Sequence, residues 1–177
     1  MPTPRDATLR LFVALWPGAA VRRALAARRD AVPWPGAARP TATDKLHLTL
    51  HFLGGVAAGR LPALRAALAV EPVSPFDLQL DAVRNWRGGL VVLQPSTPPP
   101  ELGRLHAALG EVLLGLGLAV ERRTYRPHVT LARDCPAPLP PSPPGAPLRW
   151  RIDGHVLVQS APDGQYRVLQ HYVHHAA

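Results

Sequence analysis

The pattern of hydrophobic and polar positions along the chain predicts strands and helices that alternate. Apolar residues that favour strands run from Leu9 to Leu15, and helical spacing of apolar residues runs from Ala19 to about Arg29. A second strand is expected from Leu46 to Leu53, closed by Gly54-Gly55, and a second helix from about Arg60 to Ala69. The arginines of the first helix are expected to face water; they are Arg22, Arg23, Arg28 and Arg29.

The first half ends with a further strand and a turn, and from Gly89 the same order of elements returns. Phe76 to Val83 alternates apolar and polar residues like a strand with one face in water, and Trp86-Arg-Gly-Gly is typical of a turn. Gly89 to Leu93 predicts a short strand, Pro98-Pro-Pro opens a helix that runs to about Leu116, and Val129 to Ala132 predicts another strand. This recurrence suggests an internal duplication.

The C-terminal part predicts a hairpin behind a proline-rich loop. Strands are expected at about Leu148 to Ser160 and Gln165 to Tyr172, paired across the turn-like Ala161-Pro-Asp-Gly164. Cys135 to Pro147 has too much proline for regular structure. With 177 residues the chain suffices for one core, or for two small lobes with a shared interface, and we interpret residues 1–177 as one domain.

Two of the predicted strands carry the same pair of polar residues. KLHLTLHF, from Lys45, and RPHVTLAR, from Arg126, both contain His-x-Thr-Leu, and His47 and His128 are 81 positions apart. Because side chains alternate across a strand, each histidine shares a face with its threonine while the leucines fill the core face. If the two halves face each other, two imidazoles and the hydroxyls of Thr49 and Thr130 converge.

This set of groups suits phosphoryl transfer at a phosphodiester. That reaction needs a base for the attacking oxygen, an acid for the leaving oxygen and donors for the other oxygens, and imidazole titrates near neutral pH. A single His-x-Thr is more typical of a satisfied core histidine, so the prediction depends on the second copy. Neither motif has neighbouring carboxylates to hold Mg²⁺, and no metal or other cofactor is expected.

Charge and cysteine content add little. Twenty Lys and Arg against twelve Asp and Glu give a net charge of +8, which fits a polyanionic partner, but a GC-rich coding bias explains it too because Lys45 is the sole lysine. Cys135 is the sole cysteine, which excludes an internal disulfide. With no signal-like N-terminus and no long apolar run, a cytoplasmic protein without membrane association is expected.

The motifs HLTLHFLG and YRPHVTLAR together resemble the paired HxTx signatures of the 2H phosphoesterase superfamily, in its RNA 2′,3′-cyclic phosphodiesterase (2′-5′ RNA ligase) branch. RLFVAL and VLVQSAPDGQYRVL are similar to the first strand and closing hairpin of that family. The resemblance implies a bilobal α+β fold, with two pseudo-twofold-related lobes, each an antiparallel sheet with flanking helices, around a cleft. It also implies metal-independent hydrolysis of RNA 2′,3′-cyclic phosphate ends to 2′-phosphomonoesters, and possible 2′-5′ ligation in reverse.

The same resemblance assigns roles to residues. His47 would be the proton donor and His128 the proton acceptor, while Thr49 and Thr130 would hold phosphoryl oxygens. Arg133 matches a phosphate-binding arginine of the family, although its offset from His128 places it on the opposite strand face unless the strand ends or bulges first.

Several further residues are open to two interpretations. Phe12, Tyr125 and Arg126 are candidates to stack on or bind a nucleotide, or simply pack. His51 would line the cleft or lie exposed at a strand end, and the C-terminal histidines are expected on an exposed strand end rather than at a metal; these are His171, His174 and His175.

Alternative functions are a non-catalytic module that binds RNA ends and a phosphodiesterase for a small cyclic nucleotide. Tight, salt-dependent binding without product would identify the first of these. For the catalytic interpretation the partner is an RNA or oligonucleotide with a 2′,3′-cyclic phosphate end. A monomer without an obligate protein partner is expected.

Overall fold

The computed structural model describes residues 7–69, 74–136 and 145–175, which form an α+β fold. The α helices are α1 (Ala19–Asp30), α2 (Leu61–Ala67) and α3 (Pro100–Gly115). The strands are β1 (Thr8–Leu15), β2 (Arg39–Pro40), β3 (Leu48–Ala57), β4 (Phe76–Leu80), β5 (Ala82–Trp86), β6 (Leu90–Gln94), β7 (Val129–Arg133), β8 (Leu148–Ile152), β9 (Gly154–Ser160) and β10 (Tyr166–Val173).

Antiparallel pairing joins most strands into one sheet. Its order is β10-β9-β1-β3-β7-β6-β5, with the short β2 beside β7, and β4 pairs with β8 in a second sheet. The predicted fold class, antiparallel sheets with flanking helices, is confirmed, and so are the three helices and the β9–β10 hairpin.

The two halves of the large sheet meet where the two motifs begin. The register between β3 and β7 consists of the pair Leu48 and Val129. Leu48 follows His47 and Val129 follows His128, so each histidine immediately precedes its strand. Residues far apart in the sequence are thereby brought to one junction between β10-β9-β1-β3 and β7-β6-β5.

Two predicted strands are each divided between the two sheets. The segment predicted from Phe76 to Val83 breaks at Asp81, which separates β4 from β5, and the segment predicted from Leu148 to Ser160 breaks at Asp153. Alternation continues across such a break, so the sequence pattern does not reveal it. Gly54-Gly55, expected to close β3, lies inside it.

The main hydrophobic core contains residues from all three helices. Leu25 of α1, Leu64 of α2 and Leu105 of α3 pack in one buried cluster with residues of both sheets. Phe12 and its strand neighbour Ala14 lie on the other face of β1, in a small cluster with β9. That second face is the one that supports His47.

Two of the α1 arginines do not simply face water, contrary to the prediction. Arg22 donates hydrogen bonds to the backbone carbonyls of Thr43, Asp44 and Leu46, and Arg29 donates to that of Thr41. They hold the loop that leads into His47. A helix-face pattern cannot show that the polar face lies against a loop rather than solvent.

The remaining predictions concern loops and membrane segments. Of the expected loop from Cys135 to Pro147, residues 137–144 lie outside the described residues, and the described part has no regular structure before Pro147. Among the helices described, none has the length and apolar character to cross a membrane.

Candidate active site

The first motif contains a β-bulge directly after its threonine. Thr49 lies opposite Ala14 of β1, and the next registered pair joins His51 with Val13, which leaves Leu50 as an extra residue. Leu50 and His51 are consequently both buried, so strict alternation is lost at this point.

The second motif bulges at the same place. Thr130 lies opposite Val92 of β6, and the next registered pair joins Ala132 with Val91, which leaves Leu131 as the extra residue. Leu131 and Ala132 are both buried. The two His-x-Thr-Leu segments therefore share a local backbone irregularity as well as a sequence.

The paired bulges decide which residues share a face with the threonines. Arg133, whose five-residue offset from His128 would place it on the wrong face of a regular strand, returns to the face of Thr130 and is exposed. Phe52 has the corresponding position in the first motif and is 71% exposed. A bulge before Arg133, one of the two solutions foreseen from the sequence, is what the structure has.

His47 is held at both ring nitrogens. Its Nδ1–H donates to the carbonyl of Lys45 at 2.6 Å, which leaves Nε2 to accept from the hydroxyl of Thr49 at 3.0 Å. The ring packs between Phe12 and Trp16, with ring centroids 5.0 and 5.6 Å away. This arrangement fixes the tautomer and directs Nε2 toward the threonine face.

Burial lowers the pKa of His47 to about 4, against the raising effect of its bond to the Lys45 carbonyl. The positive charges of Arg22, His128 and Arg133 lower that pKa further. His47 is therefore neutral at pH 7 in the free protein. The pairing of Leu48 with Val129 places the two motifs side by side, which agrees with the effect of His128 and Arg133 on this pKa.

His128 repeats the anchoring of His47. Its Nδ1–H donates to the carbonyl of Arg126, again two residues earlier, at 2.7 Å. Trp86 lies 4.5 Å from the His128 ring, and the guanidinium of Arg126 lies 3.9 Å above Trp86. Burial lowers the pKa of His128, and the charges of Arg126 and Arg133 lower it further.

Phe12, Tyr125 and Arg126, the candidates for nucleotide contacts, have protein partners. Phe12 is 3% exposed and supports His47, so its ring offers no open face to a base. Tyr125 stacks on His106 and donates its hydroxyl to the carbonyl of Thr49. Arg126 is exposed above Trp86 and remains accessible.

The expectations for His51 are both wrong. Because of the bulge at Leu50 it faces away from His47, is 5% exposed, and donates from Nε2 to the carbonyl of His106 in α3. The expectation of an exposed position is confirmed for His171 and wrong for His174, which is 6% exposed.

His175 is also exposed, as expected. His174 instead hydrogen bonds the buried His155, with 3.0 Å between His174 Nε2 and His155 Nδ1. Within the described ranges, no three His, Cys, Asp or Glu side chains cluster closely enough to hold a metal ion.

A comparison with protein-family models gives a direct match. Residues 17–163 match the model of the 2′-5′ RNA ligase superfamily. The chain belongs to this superfamily.

Other members of the 2′-5′ RNA ligase superfamily are similar to this chain over most of its length. The chain is 36% identical over 153 residues to the RNA 2′,3′-cyclic phosphodiesterase of Escherichia coli K12, covering 86% of this chain and 87% of that protein. The structure of E. coli LigT with 3′-AMP superimposes with a TM-score of 0.87 at 31% identity, covering 96% of this chain and all of the other. A structure from Thermus thermophilus gives a TM-score of 0.77 at 29% identity, covering 93% of this chain and 97% of the other.

Sequence reasoning misses several residues around the candidate site. The sequence places Trp86 in a turn, yet it ends β5 beside His128, and it places Arg22 in solvent, yet Arg22 braces the loop before His47. Phe52 borders the first motif, 6.0 Å from Phe12. The signal available for Phe52 is its offset from His47, which equals the offset of Arg133 from His128.

Proposed function

We propose that this protein hydrolyses 2′,3′-cyclic phosphate ends of RNA to 2′-phosphomonoesters, with His47 and His128 as the acid–base pair. The observation that carries the proposal is the repeated anchoring of the two imidazoles. Each donates Nδ1–H to the carbonyl two residues earlier and presents Nε2 beside the junction of the two motifs. The named activity of the E. coli relative supports the same reaction.

In the proposed reaction, Nε2 of His128 accepts a proton from water as the water oxygen forms a bond to phosphorus. The bond between phosphorus and the 3′ oxygen breaks, and His47 supplies the proton that this oxygen needs. The products are a 2′-phosphate and a free 3′ hydroxyl. The RNA and water provide every heavy atom of the products. His128 gains one proton and His47 loses one, so the pair as a whole carries the same number of protons after the reaction.

Thr49, Thr130 and Arg133 are proposed to hold the nonbridging phosphoryl oxygens. The two threonines are half-buried beside the histidines, and the bulge places Arg133 on the face of Thr130. Hydroxyl donors stabilise an oxyanion without added charge, while the guanidinium binds it as a charged fork. Arg126 is exposed and is proposed to contact the neighbouring RNA phosphate; its accessibility supports this role.

Substrate charge is proposed to make His47 a competent acid. In the free protein the charges of Arg22 and Arg133 help to keep the pKa of His47 low. An anionic phosphate in the site offsets those charges and therefore raises the pKa of the imidazole. His47 gains its proton as substrate binds.

The experiment is turnover of a short RNA with a 2′,3′-cyclic phosphate end, in EDTA, by the wild type, His47→Ala and His128→Ala. Each substitution is expected to lower kcat by about 10²- to 10⁴-fold, the usual value of one proton-transfer group. His171→Ala, which removes an exposed histidine, is the matched control. Undiminished turnover in either site variant contradicts the proposal, and RNA binding without product by the wild type favours the binding-module alternative.

We also propose that the protein works in the cytoplasm as a monomer. The single cysteine supports a reducing cytoplasm, and the positive net charge suits a nucleic-acid substrate. Both motifs meet within one chain, so the candidate site needs no second copy, which supports the monomer. Light scattering of the purified protein tests the monomer, and fractionation of cells that produce it tests the compartment.

A further inference from the structure

The ring of Tyr125 connects the two motifs through a side chain. Its hydroxyl donates to the backbone carbonyl of Thr49 at 3.1 Å, across 76 residues of sequence. Burial raises the pKa of Tyr125, so the hydroxyl remains a donor throughout the working pH range. Tyr125 also precedes Arg126, whose carbonyl holds Nδ1 of His128. One residue thus touches the supports of both catalytic histidines.

The Tyr125 ring is itself held in a stack of three flat rings. The His106 ring lies 3.8 Å from Tyr125 at an interplanar angle of 11°, and 4.1 Å from the His51 ring at 16°. His51 is tied back to α3 by its 2.8 Å bond to the His106 carbonyl. The stack therefore links His51 of β3, through His106 of α3, to Tyr125 beside the second motif. The hydroxyl of Tyr125 adds a second link to β3 by its hydrogen bond to the Thr49 carbonyl.

The position of this hydrogen bond explains why it matters to the site. Leu48 and Val129 form the registered pair between β3 and β7, and Thr49 is the next residue beyond it. The Thr49 hydroxyl contacts Nε2 of His47. Tyr125 thus ties the Thr49 peptide to the second motif at the point where the strand pairing ends.

We propose that Tyr125 is a positioning residue, which sets the location of the His47–Thr49 pair relative to His128 through its hydrogen bond to the Thr49 carbonyl. The effect of Tyr125 on turnover that we infer here rests on the proposed function. Tyr125 has its ring against His106 and its hydroxyl on the backbone, so it acts through the histidines and not on the substrate. The stack with His106 keeps the hydroxyl in place.

The chain contains a matched control in Tyr172. Its hydroxyl donates to the Arg65 carbonyl at 2.9 Å, and its ring stacks on His155 at 4.7 Å and 11°. Tyr125→Phe and Tyr172→Phe each remove one hydroxyl-to-carbonyl hydrogen bond and keep a stacked ring. The two variants are therefore expected to lose similar amounts of stability, so a difference in turnover between them does not come from unfolding.

Only Tyr125→Phe is expected to affect turnover of the cyclic-phosphate RNA. We expect kcat to fall by about 10-fold or more with KM changed by less than about 3-fold, because small misplacement of catalytic groups can cost up to about 10²-fold in rate. Tyr172→Phe is expected to keep the wild-type kcat. Equal loss of kcat in the two variants, or a raised KM with unchanged kcat in Tyr125→Phe, overturns the proposal.

His106→Ala tests whether the stack acts through the hydroxyl. We expect it to lower kcat in the wild-type background and to add little in the Tyr125→Phe background, since both changes release the same group. Full additivity of the two effects contradicts this part of the proposal.

Histidine NMR titration separates this proposal from the proposed function. Tyr125→Phe is expected to change the titration of His47 and to leave that of His155 unchanged, and Tyr172→Phe is expected to do the reverse. This holds even if the wild type fails to turn over the RNA, which would reject the function alone. An unchanged His47 titration in Tyr125→Phe rejects the positioning role.

Discussion

The two histidines are made alike by residues that the His-x-Thr motif does not contain. Each imidazole is fixed by the carbonyl two positions earlier, at Lys45 and Arg126, and each is sheltered by aromatic rings, of which Trp16 and Trp86 are the largest. Shelter lowers both pKa values and so makes both rings neutral in the free protein at pH 7. The proposed acid–base chemistry of this pair therefore depends on the charge of the bound substrate.

The first prediction concerns the pH profile of the wild type and Arg133→Gln. Because kcat/KM reports the free protein, we expect its optimum below pH 6.5, and we expect the optimum of kcat at higher pH because bound phosphate raises both imidazole pKa values. Arg133 lowers the pKa of His47 and His128, so Arg133→Gln is expected to shift the kcat/KM profile to higher pH and to raise KM.

Kinetics across pH 4 to 9 measure both effects. Arg104→Gln, a change at an exposed arginine of α3 that pairs with Glu101, is the control and is expected to leave the profile unchanged. An Arg133→Gln profile identical to that of the wild type contradicts the electrostatic role.

At the scale of elements, the sequence predicts the existence and type of most helices and strands but not their irregularities. Apolar spacing locates α1 and α3 within a residue or two, because one face of each packs on the core. The bulge at Leu50 is invisible in the sequence, since Leu50-His51 looks like ordinary alternation until His51 is found buried against α3. Tertiary contacts, which a strand pattern does not contain, decide such positions.

The candidate site is predictable to the same extent. The repeat of His-x-Thr-Leu locates both histidines and both threonines, and the structure brings the two motifs to one junction of the sheet. Trp86 and the Tyr125 hydrogen bond cannot be found in this way, because each depends on the approach of a distant segment.

The turn between β5 and β6 yields the second prediction. Gly88 and Gly89 both have positive φ, +85° and +76°, but a Cβ on Gly89 would lie 2.8 Å from the backbone oxygen of Cys135, whereas one on Gly88 would meet nothing within 4 Å. Gly88→Ala is expected to cost about 1–2 kcal/mol for its left-handed conformation. Gly89→Ala is expected to cost more, because the end of β7 must also move.

Urea unfolding of the two variants measures the difference. Equal stabilities of Gly88→Ala and Gly89→Ala would show that the approach of Cys135 is unimportant. The comparison needs no activity and is independent of the proposed reaction.

For the whole molecule, burial has the same effect on most of the histidines. Burial lowers the pKa of six of the eight histidines, and for His106 and His155 the value falls to about 4. The buried His155 donates to the Leu68 carbonyl and contacts His174, so it joins the end of α2 to the C-terminal strand. Protonation of His155 at Nδ1 would remove the acceptor in its contact with His174, and burial of the resulting charge would add to the cost.

Acid stability is the third prediction. A histidine with a folded pKa of about 4 and an unfolded pKa of about 6.5 binds more protons when unfolded between these values, so the free energy of unfolding is expected to fall as pH falls from 6.5 to 4. His155→Phe, which keeps a ring for Tyr172 to stack on, is expected to reduce the slope of stability against pH by up to one proton.

Urea unfolding at several pH values between 4 and 7 measures this slope. His171→Phe, at an exposed histidine, is the control and is expected to keep the wild-type slope. A His155→Phe slope equal to that of the wild type would mean that His155 binds as many protons in the native state as in the unfolded state and would contradict the prediction.

The pairing of Leu48 with Val129 affects how the protein folds during its synthesis. A contact that closes such a long stretch of chain forms only after a large loss of loop entropy, so it belongs to the late part of folding. During synthesis the ribosome releases the first histidine well before its counterpart exists. The proposed acid–base pair is therefore incomplete in a nascent or truncated first half, and we expect hydrolysis of cyclic-phosphate RNA only after His128 and the rest of the second motif have been made.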